Sequence, residues 1–119
     1  MKKSILVYED DRELSELCLT LLGGPNRHVE VLHNCDNIIS DIEQFKPDLI
    51  LMDLWIPLMG GEKATAVMKN NRDTKHIPII LFSANPAIEE ICKRVKADGY
   101  LQKPFDIATL RRVVEENIL

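Results

Sequence analysis

The chain has 119 residues, of which 45% are hydrophobic and 29% charged, and this balance is typical of one ordinary globular domain. Its 19 acidic against 15 basic residues give a formal net charge of −4, so the sequence lacks the basic surface that direct nucleic-acid binding requires. No apolar run approaches the roughly 18 residues of a membrane span, and acidic residues follow the first lysines too soon for a signal peptide. The three cysteines are an odd number without CxxC spacing, which predicts reduced thiols in a cytoplasmic protein.

Short apolar runs, bounded by polar residues, Pro or Gly, predict five strands that are buried on both faces. In chain order these runs are Ile5–Tyr8, Val29–Leu32, Leu49–Met52, Ile77–Phe82 and Tyr100–Leu101.

Apolar residues at helical spacing follow each of these runs and predict five helices, the last of them with Asp106 as its N-cap. In chain order the predicted apolar faces are Leu14, Leu17, Cys18, Leu21 and Leu22; Ile38, Ile39, Ile42 and Phe45; Ala64, Val67 and Met68; Ile88, Ile91, Cys92 and Val95; and Ile107, Leu110, Val113, Val114 and Ile118.

Strands that alternate with helices need crossover connections, which predicts a parallel sheet covered by helices on both sides. Right-handed crossovers then give a doubly wound (βα)5 three-layer sandwich of the α/β class, with residues 1–119 in one domain. In such sheets, functional sites lie outside the carboxyl ends of the strands.

Chemically matched groups stand at four of these strand ends: Glu9–Asp11, Asp53, Ser83 and Lys103. Clustered carboxylates repel one another and need a cation, and oxygen ligands suit a hard ion such as Mg²⁺. A lysine and a hydroxyl beside that cation would hold a doubly charged oxyanion, and an aspartate is a known phosphoryl acceptor. The pattern therefore predicts a metal, a carboxylate nucleophile and a phosphate clamp at one edge.

Each group also has a plain structural explanation. Asp10 with Glu13 resembles a capping box at the start of the first helix, a role compatible with metal binding. Asp53 and Ser83 could be turn residues, and Lys103 a solvated surface charge. Their occurrence together, at the same end of four strands, favours the functional interpretation.

With these motifs in view, the sequence resembles the receiver domain of two-component response regulators over essentially its whole length. The resemblance implies a five-stranded sheet of order 2-1-3-4-5. The motifs that carry it are ILVYEDD at 5–11, DLWIPLMGG at 53–61, PIILFSA at 78–84 and YLQKPF at 100–105.

The resemblance implies a role for each matching residue. Asp53 corresponds to the phosphoacceptor, and Glu9 and Asp10 to the acid pair that holds Mg²⁺. Asp53 would supply a further metal ligand, and the backbone carbonyl of Trp55 another.

The same resemblance assigns the phosphoryl contacts and the switch. Ser83 corresponds to the hydroxyl that binds the phosphoryl group, and Lys103, joined to Pro104 by a cis bond in the family, to the lysine that pairs with it. Tyr100 corresponds to the aromatic residue that turns inward when Ser83 moves. The donor would be a sensor histidine kinase or a histidine phosphotransfer protein. Helix four, strand five and helix five would form the surface that switches and binds an effector or a second copy.

The resemblance implies a switch that phosphorylates itself and hydrolyses its phosphate slowly, not an enzyme. Two positions depart from the family pattern in ways that matter. Lys96 stands where a small segment containing glycine usually closes helix four. Trp55, together with Asn85, flanks the route of the hydrolytic water, and we hypothesise that Trp55 shields the phosphoryl group.

Three alternatives remain open at this stage. A flavodoxin-like cofactor binder would need a phosphate loop rich in Ser, Thr or Gly after strand one, where this chain has acids. A Mg²⁺-dependent phosphatase with an aspartyl nucleophile would need a second Asp at position 55, which is Trp. A degenerate receiver would act only as a phosphorylation-independent binding module.

Overall fold

The computed structural model describes residues 2–118. Its elements alternate regularly between strand and helix. The strands are β1 (Lys3–Tyr8), β2 (Arg27–Leu32), β3 (Leu49–Asp53), β4 (Ile79–Ser83) and β5 (Gly99–Gln102). The helices are α1 (Arg12–Leu22), α2 (Ile38–Phe45), α3 (Gly61–Lys69), α4 (Ile88–Val95) and α5 (Ile107–Asn117).

The five strands form one parallel sheet of order β2-β1-β3-β4-β5, which confirms the predicted fold and strand order. Every residue of β3 and β4 is buried, because both strands lie inside the sheet and helices cover both of its faces. This burial explains why their sequences are continuous apolar runs instead of alternating patterns. Among the described helices, none is long and apolar enough to cross a membrane.

Two hydrophobic cores lie on opposite faces of the sheet and complete the three layers. The first core packs α1 and α5 against residues such as Leu51 and Phe82. The second packs α2, α3 and α4 against residues such as Met52 and Leu81. Alternate residues of one strand therefore serve different cores, and Asp53, two residues after Leu51, points to the α1 and α5 side.

The start of α1 corrects one prediction. Asp11, and not Asp10, is the N-cap of this helix, and its carboxylate accepts a hydrogen bond of 3.2 Å from the Leu14 N–H. The capping box predicted for Asp10 is therefore wrong, which leaves the Asp10 side chain available for another role. The prediction for Asp106 is confirmed, since its carboxylate accepts a hydrogen bond of 2.7 Å from the Thr109 N–H.

Three predicted core residues are exposed at the edges of their helical faces: Leu17, Val67 and Ile107. In α3 the buried face instead consists of Gly61, Ala64, Thr65 and Met68. Helix α4 ends at Val95 even though no glycine follows, because Lys96 itself adopts the left-handed conformation with a φ of 63°. The three cysteines are buried and unpaired.

A buried lysine joins three segments at the end of the sheet opposite the acidic cluster. Only 8% of the Lys69 side chain is exposed, and its ammonium donates to the carbonyls of Lys75 and Ile77 at 3.0 and 2.9 Å. The same ammonium contacts Asp98 Oδ2 at 2.7 Å, and that oxygen accepts a further bond from the Ile79 N–H. The end of α3 is thus tied to the starts of β4 and β5.

Candidate functional site

Glu9, Asp10 and Asp53 meet at the carboxyl edge of the sheet. Glu9 directly follows β1, and Asp53 is the last residue of the adjacent β3. Each of the three offers one carboxylate oxygen, and these oxygens all lie within 4.8 Å of one another. The sequence predicted this convergence from the parallel arrangement of the strands, and the structure shows it.

Two of these acids are buried and the third is exposed. Glu9 is fully buried, Asp53 is 3% exposed, and Asp10 faces solvent. The Oε2 atom of Glu9 has no hydrogen-bond partner, the only such buried side-chain oxygen or nitrogen in the part of the chain that the structure describes. A buried carboxylate oxygen without a partner is costly, so this oxygen is suited to contact a cation. Three carboxylates with solvent access through Asp10 are the donors that a hard divalent cation such as Mg²⁺ prefers, and they fit that ion.

The surroundings of Glu9 favour its neutral form when no cation is bound. Burial raises the pKa of Glu9 most, and a hydrogen bond with Asp53 and the charge of Asp53 raise it further. The Lys103 ammonium lowers it, and together these effects place the pKa of Glu9 at about 9. A proton on Glu9 therefore partly substitutes for a bound cation. Either positive species relieves the repulsion between the buried carboxylates of Glu9 and Asp53.

Lys103 supplies the cationic side of the cluster. Its Nζ lies 3.5 Å from Glu9 Oε1 and 3.7 Å from Asp53 Oδ2, with 27% of the side chain exposed. Its backbone N–H donates to the Ser83 carbonyl at 2.9 Å, which continues the ladder between β4 and β5 to the site. The lysine is thus held close to Asp53 through both its backbone and its ammonium.

The backbone after Asp53 approaches the carboxylate closely. The Trp55 N–H donates to Asp53 Oδ1 at 3.0 Å, while the Trp55 side chain is 70% exposed. A Cβ placed on Gly61 would overlap the Asp53 carbonyl oxygen, so no larger residue fits there without moving the backbone. The Gly61 N–H donates to the Leu54 carbonyl at 3.3 Å and closes the segment 54–60 into a loop.

Ser83 and Tyr100 occupy different positions relative to this cluster. Ser83 is fully buried at the end of β4, and its Oγ accepts a hydrogen bond of 3.1 Å from the Asn85 N–H. Tyr100 is 39% exposed on β5. The roles assigned to both residues, and to the Trp55 carbonyl, stay predictions.

Two contacts to the loop of residues 54–60 were not predicted. Asp36, which precedes α2, accepts a hydrogen bond of 2.9 Å from the Met59 N–H, and the Cys35 thiol donates to the Gly60 carbonyl at 3.4 Å. Just before these two positions, Leu58 has a φ of 71°, a left-handed conformation that costs a leucine about 1–2 kcal/mol. The segment before α2 therefore helps to hold the loop beside Asp53. No local sequence signal links positions this far apart.

Asp53 is the group best placed to react. It is a buried carboxylate with an N–H on one oxygen and an ammonium near the other, beside two acids that suit a divalent cation. A cation held by these acids, together with the nearby ammonium, would stabilise a phosphoryl group arriving at this carboxylate. The geometry therefore suits phosphoryl chemistry on Asp53.

A family model described as "Response regulator receiver domain" matches residues 5–115. Among curated proteins, the DNA-binding response regulator MtrA of Mycobacterium tuberculosis (strain ATCC 25618 / H37Rv) is 29% identical over 107 residues, which make up 88% of this chain and 46% of MtrA. Hybrid signal transduction histidine kinase M of Dictyostelium discoideum is 31% identical over 113 residues, which make up 89% of this chain and 5% of that protein. The chain thus spans less than half the length of these relatives.

Solved structures show the same architecture. The Vibrio cholerae chemotaxis protein CheY4 superposes with a TM-score of 0.87 at 21% identity, covering 100% of both chains, and this likeness bears on the fold alone. The receiver domain of sensor histidine kinase PA1611 from Pseudomonas aeruginosa PAO1 superposes with a TM-score of 0.87 at 27% identity, covering 99% of this chain and 98% of that one. The PA1611 crystals hold a magnesium ion coordinated in the active site cleft.

Proposed function

Because the chain belongs to the response regulator receiver domain family, we propose that it accepts a phosphoryl group on Asp53 from a phosphohistidine. The observation that carries this proposal is the position of the Lys103 ammonium, 3.7 Å from Asp53 Oδ2, beside an acidic cluster that fits Mg²⁺. We propose one receiver domain over residues 1–119, since all five strands join one sheet.

The transfer exchanges one bond to phosphorus for another. The phosphorus–nitrogen bond of the donor breaks, its imidazole keeps the electron pair, and a phosphorus–oxygen bond to the Asp53 carboxylate forms. Such transfers pass through a loose transition state, so the protein contributes positioning and charge neutralisation. Lys103 contacts a phosphoryl oxygen, and the Ser83 hydroxyl hydrogen-bonds another.

Mg²⁺, when bound, neutralises negative charge on the phosphoryl oxygens and orients the group toward the carboxylate. Glu9, Asp10, Asp53 and the backbone carbonyl of Trp55 are the residues that would hold it. With all three acids ionised and Lys103 protonated, the cluster has a formal charge of −2, which a divalent cation balances. A phosphoryl group adds about −1.5 to −2 and would be unfavourable here without that ion.

The response to phosphorylation is a change of surface instead of turnover of a separate substrate. Ser83 moves toward the phosphoryl group, and Tyr100, now exposed, turns into the space behind it. The face formed by α4, β5 and α5 changes with them and binds an effector or a second copy of the chain. Hydrolysis of the aspartyl phosphate, which is slow, resets the switch.

The donor is a sensor histidine kinase or a histidine phosphotransfer protein. This phosphoryl transfer would take place in the cytoplasm, where the three unpaired cysteines would also stay reduced.

Fluorescence of the single tryptophan tests the proposal. The Trp55 N–H is bonded to Asp53 Oδ1, so ligands that change this carboxylate should change the surroundings of the indole. We expect Mg²⁺ to alter the emission and beryllofluoride, a phosphoryl mimic, to alter it again only when Mg²⁺ is present. Asp53→Asn should abolish the beryllofluoride step, whereas Asp73→Asn, at an exposed aspartate, should keep both steps.

Phosphorylation by phosphoramidate, followed by mass spectrometry, gives a second readout that does not depend on Trp55. Wild-type protein should gain one phosphoryl group that Asp53→Asn cannot accept. If wild-type protein neither binds Mg²⁺ nor gains this group, the proposal is wrong, and the chain acts as a degenerate receiver that binds partners without phosphorylation.

A further inference from the structure

The ring of Phe82 lies directly under the ammonium of Lys103. The Nζ atom stands over the ring face at 5.1 Å from the centroid, within the range of a cation–π contact. Phe82 is only 3% exposed, so little water competes for this face of the ring.

The sheet places this ring next to the proposed phosphoacceptor. Phe82 on β4 pairs with Asp53 on β3 in the parallel register, so both side chains extend to the same face of the sheet. The Phe82 carbonyl also accepts a hydrogen bond of 3.2 Å from the Leu54 N–H, which fixes the two strands at this level. Carboxylate, ring and ammonium therefore form one contiguous group.

The ring is one of three contacts that locate the ammonium. The two carboxylate contacts, to Glu9 at 3.5 Å and to Asp53 at 3.7 Å, are long for ion pairs and leave the ammonium room to move. Phe105 packs against Phe82 at 6.5 Å between centroids with an interplanar angle of 88°, and this edge-to-face contact holds the Phe82 ring in its orientation.

We propose that Phe82 is a positioning residue for Lys103, whose ring holds the ammonium beside Asp53 before the phosphoryl group arrives. This inference rests on the proposed function and adds a residue that the family motifs do not assign. A lysine side chain has four rotatable bonds and loses much conformational freedom when it is fixed. If the ring has already fixed it, the incoming anion meets an ordered cation and bears less of that cost.

Packing alone is the competing explanation, because Phe82 belongs to the core between the sheet and helices α1 and α5. Phe82→Leu removes both the packing and the ring face, so it does not separate the two explanations. Fluorinated phenylalanines do separate them, since fluorine withdraws charge from the ring face while the shape of the side chain changes little.

The test places mono-, di- and trifluorophenylalanine at position 82 and measures beryllofluoride affinity by Trp55 fluorescence at saturating Mg²⁺. We expect a graded loss that reaches about fivefold for the trifluoro ring, equivalent to about 1 kcal/mol. Affinity for Mg²⁺ alone should change less than twofold, because the acids hold that ion and the ring contact in question is with the Lys103 ammonium. The same residues placed at Phe105, which contacts Phe82 but not the ammonium, are the matched control.

The ring contact has its own signature, which does not depend on phosphoryl chemistry. The ε-methylene protons of Lys103 should be shifted upfield by the ring current in wild-type protein, and Phe82→Leu should remove that shift. If the Lys103 protons show no upfield shift in wild-type protein, the inference is refuted.

Two further outcomes overturn the inference: a flat affinity across the series at position 82, or an equal loss when Phe105 is fluorinated. Wild-type protein that shows the upfield shift but binds no beryllofluoride refutes the proposed function, and with it the role of the ring in phosphoryl binding.

Discussion

Replacing Glu9 tests the electrostatics of the site directly. Burial and Asp53 raise the pKa of Glu9 from its ordinary 4.5 to about 9 in the folded protein without metal. Between these two pH values the folded chain binds a proton that the unfolded chain has lost. The stabilising contribution of the neutral carboxyl is therefore complete below about pH 4.5 and is lost progressively as the pH rises toward about 9.

The size of this effect follows from the linkage relation. A difference of one bound proton changes the free energy of unfolding by about 1.4 kcal/mol per pH unit. Metal-free wild-type protein should thus lose roughly 3 kcal/mol between about pH 6 and about pH 8. Glu9→Gln keeps the shape of the side chain and cannot ionise, so the variant should lose almost none of this stability. Mg²⁺ should protect wild-type protein at the higher pH by binding only the folded state, and should protect the variant far less.

Urea unfolding, followed by circular dichroism at both pH values with a chelator or with Mg²⁺, measures each of these quantities. Glu43→Gln, at an exposed position on α2, removes one negative charge elsewhere and is the matched control. Equal pH dependence of wild-type protein and Glu9→Gln without metal would refute the reasoning. Equal protection of both proteins by Mg²⁺ would refute the assignment of Glu9 as a metal ligand.

The remaining predictions concern the segments on either side of the site. Asp11→Ala removes the N-cap of α1 and should lower the free energy of unfolding by about 1 kcal/mol with little change in Mg²⁺ affinity. Asp10→Ala should weaken Mg²⁺ binding with little change in the free energy of unfolding. Urea unfolding and Mg²⁺ titration of both variants check this pair. Gly61→Ala should lower stability by about 1–3 kcal/mol and weaken Mg²⁺ binding, because the added methyl overlaps the carbonyl of the last residue of β3. Gly24→Ala has open space around the added methyl and should be nearly neutral in the same assays. Trp55→Asn should shorten the lifetime of the aspartyl phosphate several-fold by admitting water, and an unchanged rate of label loss would contradict the shielding hypothesis.

The sheet was predictable because its strands are buried on both faces, which leaves apolar runs such as Leu49–Met52 visible in the sequence. The burial of residues at the edges of the helical faces was less predictable, because Leu17 and Val67 lie far enough round their helices to reach solvent. The strand order came with the family resemblance, because periodicity alone does not say which strands are neighbours.

The site was predictable to the extent that parallel strands bring their ends together. The choice between Asp10 and Asp11 as the N-cap was not predictable, because adjacent acids look alike until the backbone shows where the helix begins. The contact between Asp36 and Met59, and that between Phe82 and Lys103, join residues far apart in the chain. Each depends on loop conformation or ring orientation, which single-sequence patterns do not encode.

Lys69 restrains the end of the sheet that lies opposite the acidic cluster. Its ammonium joins the end of α3 to the chain before β4 and to Asp98 before β5, so the starts of these two strands are linked through one side chain. We therefore expect a displacement that begins at the opposite end of the sheet to become smaller toward Asp98. If Asp53 is phosphorylated as proposed, we expect the first turns of α4 and α5 to move farther than the last residues of α4, and we expect a partner specific for that state to contact those first turns.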